Sequence, residues 1–168
     1  MKISHKGLYA LKAMTLLARR CDQGAIRIRD IAYEEELPEK FLELILLELK
    51  NARMVDSVRG AKGGYRLRRP PDQISLAEII RLIDGALAPF GDAEQLRCLI
   101  DADDNHRSLY QVFLDVRDAA ARILENTTLA DLVKNTPQQR RGKQGGRRKP
   151  AVLPMVIHES SKSAGPKS

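Results

Sequence analysis

The sequence predicts a mainly α-helical protein with one small β-hairpin, and three observations predict it. Apolar residues recur at helical spacing through most of the first 135 positions. Two short helical stretches meet at Leu37-Pro38. One alternating segment broken by glycines, about 54–68, follows them directly.

The elements follow in order. From Ser4 to Arg20 the apolar positions Leu8, Leu11, Met14 (or Thr15) and Ala18, with Ala10, Ala13 and Leu17 beside them, predict a helix with one broad buried stripe. Ala25-Ile26-Arg27-Ile28 reads as a short extended piece. A short helix from about Arg29 to Glu36 buries Ile31 and Ala32. Proline suits a first helical turn, so a second helix runs from about Pro38 to Asn51 with Leu42, Ile45, Leu46 and Leu49 inward. Two short helices joined so tightly suggest a helix-turn-helix over about 28–51. Met54–Val58 and Tyr65–Arg68 alternate around the glycine-rich turn 59–64 and predict a hairpin. Ser75 and Glu78 have capping-box spacing ahead of a helix carrying Leu76, Ile79, Ile80 and Ile83. Residues 85–105 read as irregular. From about 105 to 125, Leu109, Val112, Phe113, Val116, Ala120, Ile123 and Leu124 give the longest helical stripe. Thr128 and Asp131 frame a last short helix.

The formal charge is +7, and its location matters more than its size. Residues 136–168 hold eight basic side chains against Glu159, so residues 1–135 are neutral overall. A neutral body that binds nucleic acid needs a local basic patch. Residues 136–168, rich in Arg, Lys, Gly, Pro and Ser, read as a disordered basic tail. The tail either adds salt-sensitive affinity for DNA or only solubilises, and its apolar run Val152–Ile157 has no assigned role. Aromatics make up 4% with no Trp, which argues against binding built on stacked bases. The two cysteines fit a reducing compartment and are too few for a disulfide framework, though one bridge is compatible. Lys12 and Arg19-Arg20 spoil an N-terminal signal pattern, and no apolar run approaches a membrane span. A cytoplasmic protein without a membrane partner is expected.

Helix, helix-turn-helix and basic hairpin, in that order, make a winged helix. Its second short helix would enter a major groove, and its wing would reach the adjacent backbone or minor groove. Between Arg53 and Arg69 lie six cations (Arg53, Arg59, Lys62, Arg66, Arg68 and Arg69), opposed only by Asp56. Gly60, Gly63 and Gly64 permit positive φ and close approach to a phosphate, or serve simply as turn glycines. A basic hairpin is equally compatible with a solvated edge. Glu39, Lys40, Glu43, Glu48 and Lys50 fit either a solvated helix face or a reading one, since glutamate can accept from cytosine.

Lys6-Gly7-x-Tyr9-Ala10, Phe41-Leu42-Glu43, Ser57-Val58-Arg59-Gly60-Ala61-Lys62-Gly63-Gly64-Tyr65 and Thr128-Leu129-Ala130-Asp131-Leu132 together resemble the Rrf-two family of bacterial transcription regulators. The resemblance covers roughly residues 1–135. It implies a homodimer joined through the long helix near 105–125, with two winged helices on palindromic double-stranded DNA, most simply as a repressor. By position it implies that Lys40 and Glu43 face base edges and that Arg59 enters the minor groove. Lys6, Lys50 and Lys62 then become phosphate contacts. One departure is Arg53, where the family usually has glycine. A non-glycine residue ending a helix in the left-handed region costs about 1 kcal/mol, so an altered turn is expected there, and Arg53 is placed to add a contact.

Many members of that family hold an iron–sulfur cluster on three cysteines in the segment corresponding to 85–107. Here that segment has only Cys98, among Asp92, Asp101, Asp103, Asp104 and His106. One thiolate does not make a cluster site, so no cofactor is expected. Cys98 and His106 with aspartates could in principle ligate zinc or iron. A free thiol in an acidic loop accounts for the same residues, its acidic neighbours disfavouring the thiolate. Without a cluster, the signal would be a small molecule or a protein effector. Tyr110 and Phe113 read as dimer core in preference to an effector pocket. A winged helix that binds a protein partner is the remaining alternative. An enzyme is not expected, because the sequence shows no nucleophile triad, no nucleotide loop and no paired carboxylates in a cleft-like context.

Overall fold

The computed structural model describes residues 3–60, 63–85 and 92–135. They form seven α-helices and one two-stranded antiparallel sheet within one compact unit. The expectations for Lys62, for the basic tail and for Val152–Ile157 lie outside these residues.

Helix α1 (His5–Arg19) begins at Ser4, whose side chain accepts from the Gly7 N–H. Ala10, Ala13, Met14, Leu16, Leu17 and Ala18 are buried, and they form the centre of the core. The stripe is rotated from its expected position: Leu8 is 40% exposed, whereas Leu16 is fully buried. Small residues at 7, 10 and 13 let neighbouring elements approach α1 closely, which makes that side the packed one.

Ile26 pairs with Tyr65 of the wing through bonds of 2.9 and 2.8 Å, adding a one-residue third strand to the hairpin. Helix α2 (Ile28–Glu34) then starts at once, so Ile28 belongs to the helix and not to the extended piece. Glu36 adopts φ 53°, and the Leu37 N–H reaches back to the Ala32 carbonyl at 2.8 Å. Both Ala32 and Leu37 are buried. This six-to-one bond with an apolar contact across it is how a helix stops in a left-handed turn. Pro38 caps α3 (Glu39–Asn51), which buries Leu42, Ile45, Leu46 and Leu49 as its spacing predicts.

Strands β1 (Val55–Val58) and β2 (Gly64–Leu67) pair with Val55 opposite Leu67 and Val58 opposite Gly64. Helix α4 (Leu76–Asp84) is capped by the Ser75 hydroxyl, which accepts from the Glu78 N–H. Glu78 does not complete the capping box, because its carboxylate turns to Arg69 at 2.7 Å.

The segment read as irregular contains a helix. Helix α5 (Ala93–Ala102) starts at Asp92, whose side chain accepts from the Glu94 N–H, and it buries Leu96. Ala93, Leu96, Leu99 and Ile100 supply a short helical period that the surrounding acidic residues obscure. It packs against α6 (Arg107–Asn126), the longest helix. Helix α7 (Leu129–Asn135) closes on the start of α4: the Leu76 N–H donates to Thr127 and the Leu129 N–H to Ile74, at 2.9 and 3.0 Å.

Candidate nucleic-acid interface

Helix α3 divides into two faces. Leu42, Ile45, Leu46 and Leu49 are locked in the core, which leaves the opposite side to solvent. At about 3.6 residues per turn, that side is centred on Lys40, Leu44, Leu47 and Asn51, with Glu43 and Lys50 on one flank. All six are exposed. The expected readers Lys40 and Glu43 and the expected phosphate contact Lys50 therefore share one free helical surface. Leu44 and Leu47 were not anticipated. The signal was available, since apolar residues half a turn away from a complete buried stripe are out of place.

Lys6 is engaged within the protein: its Nζ lies 2.5 Å from Glu48 Oε2, with both side chains about one-third exposed. That ion pair joins the first turn of α1 to α3. Tyr9 packs edge-on against Phe41 at 5.9 Å beside it. The exposed face of α3 is thus positioned by α1 from behind.

The turn out of α3 sets the approach to the wing. Arg53 has φ 59°, its N–H bonding the Lys50 carbonyl and the Met54 N–H bonding the Leu49 carbonyl, each at 2.9 Å. Met54 and Leu49 are buried against this pair of bonds. A full Schellman turn has formed on arginine, so the missing glycine leaves the left-handed turn in place and the expected alteration does not occur. The Arg53 side chain stands exposed three residues after the exposed Lys50.

In the wing, Arg59 and Gly60 are exposed at the end of β1. Gly60 has φ 109°, and none of the described residues comes within 4 Å of a β-carbon built there. Gly63 donates to the Gly60 carbonyl at 2.8 Å, and a β-carbon there would fall 2.5 Å from the Val58 carbonyl oxygen. Gly64 lies closer still to the Ile26-Arg27 backbone, with 2.2 Å available to a β-carbon. These glycines first serve the turn and the seam with Ile26. An open groove of about 420 Å³ runs along that seam, lined by Arg27, Arg29, Ser57 and Gly63 among others.

The six-cation patch is smaller than its sequence count. Arg66 and Arg68 both lie 3.9 Å from Asp56. Arg69 is turned away: it grips Glu78 at 2.7 Å and the Gln73 carbonyl at 3.0 Å. It ties the wing to α4 and belongs to the scaffold.

The profile of Rrf2, described as an iron-dependent transcriptional regulator, matches residues 3–135. The chain belongs to the Rrf2 (Rrf-two) family. It is 38% identical to the HTH-type transcriptional regulator CymR of Bacillus subtilis over 136 residues, 81% of this chain and 92% of that one. An rrf2-like HTH-type regulator of Rhodobacter capsulatus is 43% identical over 122 residues, 71% of this chain and 73% of that protein. The structure of B. subtilis CymR, the global cysteine regulator of that organism, superposes with a TM-score of 0.71 at 35% identity, covering 82% of this chain and 99% of CymR. This Rrf2 protein is therefore a DNA-binding transcription regulator with a winged-helix fold, and not an enzyme.

The family description names iron, and the donors of this chain do not fit it. Its two cysteines, Cys21 after α1 and Cys98 on α5, are free and exposed. Cys98 sits on a helix, not in a loop, beside Asp92 and Leu99 in an open cleft of about 540 Å³. Among the described residues no three His, Cys, Asp or Glu side chains converge on a metal position. His106 is instead held by Asp103, whose Oδ2 lies 2.8 Å from the ring Nδ1 and whose Oδ1 accepts from the His106 N–H at 3.2 Å. These bonds, helped by the Tyr110 hydroxyl, hold the Asp103 carboxyl below its ordinary range. Burial and Asp22 push the Cys21 thiol up, away from the reactive thiolate.

Proposed function

We propose that this Rrf2 protein is a cytoplasmic, homodimeric repressor that reads a palindromic operator without a bound cluster. In this reading residues 1–135 form the regulator: helix-turn-helix 28–51, wing 54–68 and a dimerisation helix near 105–125. The α3 face carrying Lys40 and Glu43 enters the major groove, and Arg59 reaches the minor groove. Lys6, Lys50 and Lys62, with the backbone at Gly60, Gly63 and Gly64, meet phosphates. The signal is a small-molecule or protein effector.

One observation carries the dimer. On α6, Leu109, Val112, Val116 and Ile123 are 47–64% exposed, and Leu114 is the helix's only side chain buried among the described residues. A 20-residue helix that is apolar on its outer side needs a second surface to cover it. Two copies joined there would place two recognition helices about a common two-fold axis, which a palindrome matches.

The test is a genomic-fragment selection with the full chain at about 150 mM salt, where the Debye length is near 8 Å. The expected result is one enriched palindrome for the wild type, with loss of enrichment for Arg59→Ala. Val112→Glu with Val116→Glu should give a folded monomer that no longer binds it. An enriched single half-site, or a variant that remains dimeric, would overturn the proposal.

A further inference from the structure

Leu44 and Leu47 occupy the centre of the exposed face of α3, 60% and 51% exposed. Leucine gains nothing from water, and the same helix already buries four apolar residues on its other side. Their place is not on the margin of the core: both lie opposite Leu42, Ile45 and Leu49 on the helical wheel. Three residues apart, they are neighbours on one ridge, separated by about 4.5 Å along the helix axis. That is close to the about 3.4 Å step between bases on one strand. Lys40 and Asn51 extend the ridge at either end, Lys50 lies on its flank, and Arg53 is exposed just past the end of the helix.

We propose that Leu44 and Leu47 determine sequence specificity by packing against the 5-methyl groups of two adjacent thymines in the major groove. The proposal rests on the reading of α3 as the recognition helix and names what its centre recognises. The thymine methyl is the one apolar group that a base pair offers in that groove, and apolar side chains are its complement. The surrounding cations match flanking phosphates and so favour DNA as the occupant. A protein partner fits poorly, because two half-exposed leucines fall far short of the about 800 Å² per partner of a stable interface. Direct readout then divides along α3: Lys40 and Glu43 offer hydrogen bonds, and the two leucines offer apolar contact.

The test uses the most enriched duplex from the genomic selection and the same duplex with deoxyuridine replacing each thymine in turn. Removing a contacted methyl should weaken wild-type binding about fourfold, the effect of leaving one CH2-sized group unburied. Leu44→Ala and Leu47→Ala, exposed positions that leave the thermal midpoint unchanged, should each lose sensitivity at one thymine and keep it at the other. Equal binding of thymine and deoxyuridine duplexes by the wild type would overturn the inference, with Arg59→Ala still losing affinity if the DNA reading holds. Alanine variants that keep the wild-type deoxyuridine penalty would overturn it as well. If the selection enriches no duplex, the reading of α3 fails and the inference falls with it.

Discussion

A β-carbon on Gly7 would stand 2.2 Å from Asp84 Oδ2, so the first turn of α1 and the last residue of α4 meet where an added side chain must displace that carboxylate. The Asp84 carboxylate accepts from both the Ser4 N–H and the Ser4 hydroxyl, and that hydroxyl accepts from the Gly7 N–H at 2.9 Å. A negative charge at a helix N-terminus is favourable in its own right. Gly7→Ala should cost about 1–3 kcal/mol by overpacking this contact. The same change in an Asp84→Ala background should cost much less, because the obstructing carboxylate is gone. Urea unfolding of the four proteins measures the coupling, and strictly additive losses would contradict it.

The wing glycines separate by mechanism. Gly64→Ala drives a methyl into the Ile26 carbonyl and should open the seam that joins the wing to α2. Gly60→Ala meets none of the described residues and bears only the strain of its positive φ, about 1–2 kcal/mol. Thermal unfolding should rank Gly64→Ala as clearly the more damaging. Amide exchange should show faster opening at Ile26 and Tyr65 in that variant alone.

Arg59 and Arg69 should exchange phenotypes. Arg69 bridges the wing to Glu78 and the Gln73 carbonyl in a partly exposed site, so Arg69→Gln should lose at most about 1 kcal/mol of stability. Its DNA binding should keep the wild-type salt slope. Arg59→Ala should leave the thermal midpoint alone and reduce the slope of log K against log salt by about 1. Titrations at several salt concentrations distinguish the two residues, which the sequence counted as equivalent.

The order of elements was legible because α1, α3 and α4 each have one wet and one dry face, and their period shows it. The Leu42-Ile45-Leu46-Leu49 stripe is buried as the pattern requires. Helix α5 was missed because it buries only Leu96 and its acidic surroundings resemble a loop. The role of Arg69 was illegible for a different reason: its partner Glu78 lies in another element, and charge counting within 53–69 does not include it. Leu44 and Leu47 were legible in principle, but a search for core residues stops once the stripe is complete.

Two helices end in left-handed turns on charged residues, and both turns can be relieved. Glu36 and Arg53 have φ 53° and 59°. The left-handed conformation costs a side-chain-bearing residue about 1–2 kcal/mol, against about 0.4–1 kcal/mol lost through a freer unfolded chain when glycine replaces it. Glu36→Gly and Arg53→Gly should each gain about 0.5–1 kcal/mol by this balance. That corresponds to roughly 2–4 °C in the thermal midpoint. Arg53→Gly should nevertheless bind DNA more weakly and with a shallower salt slope, since it removes an exposed cation just past the end of α3. A variant that gains stability and keeps full affinity would show that Arg53 makes no phosphate contact.

Two carboxylates should give pH effects of opposite sign. Asp131 caps α7 by accepting from the Thr128 hydroxyl at 2.6 Å and the Thr128 N–H at 3.0 Å, and these bonds hold its carboxyl below the ordinary range. A depressed folded pKa means the cap stabilises fully above the unfolded value, about 3.9, and is lost as pH falls through the folded one. Asp131→Asn should therefore lower the thermal midpoint at pH 7, and the deficit should close in acid. Glu35 is the reverse: burial pushes its carboxyl up in spite of Arg19 and Lys12. Its contribution is greatest below the unfolded value and is lost as pH rises through the folded one, so Glu35→Gln should raise the midpoint at pH 7. That gain should also vanish as acid protonates the wild-type residue. Thermal scans from pH 2 to 7 would show one negative and one positive difference, the positive one fading as pH falls through the raised pKa of Glu35 and the negative one only as pH falls through the depressed pKa of Asp131. Two differences of the same sign would mean that one carboxylate is held by something other than the contacts described.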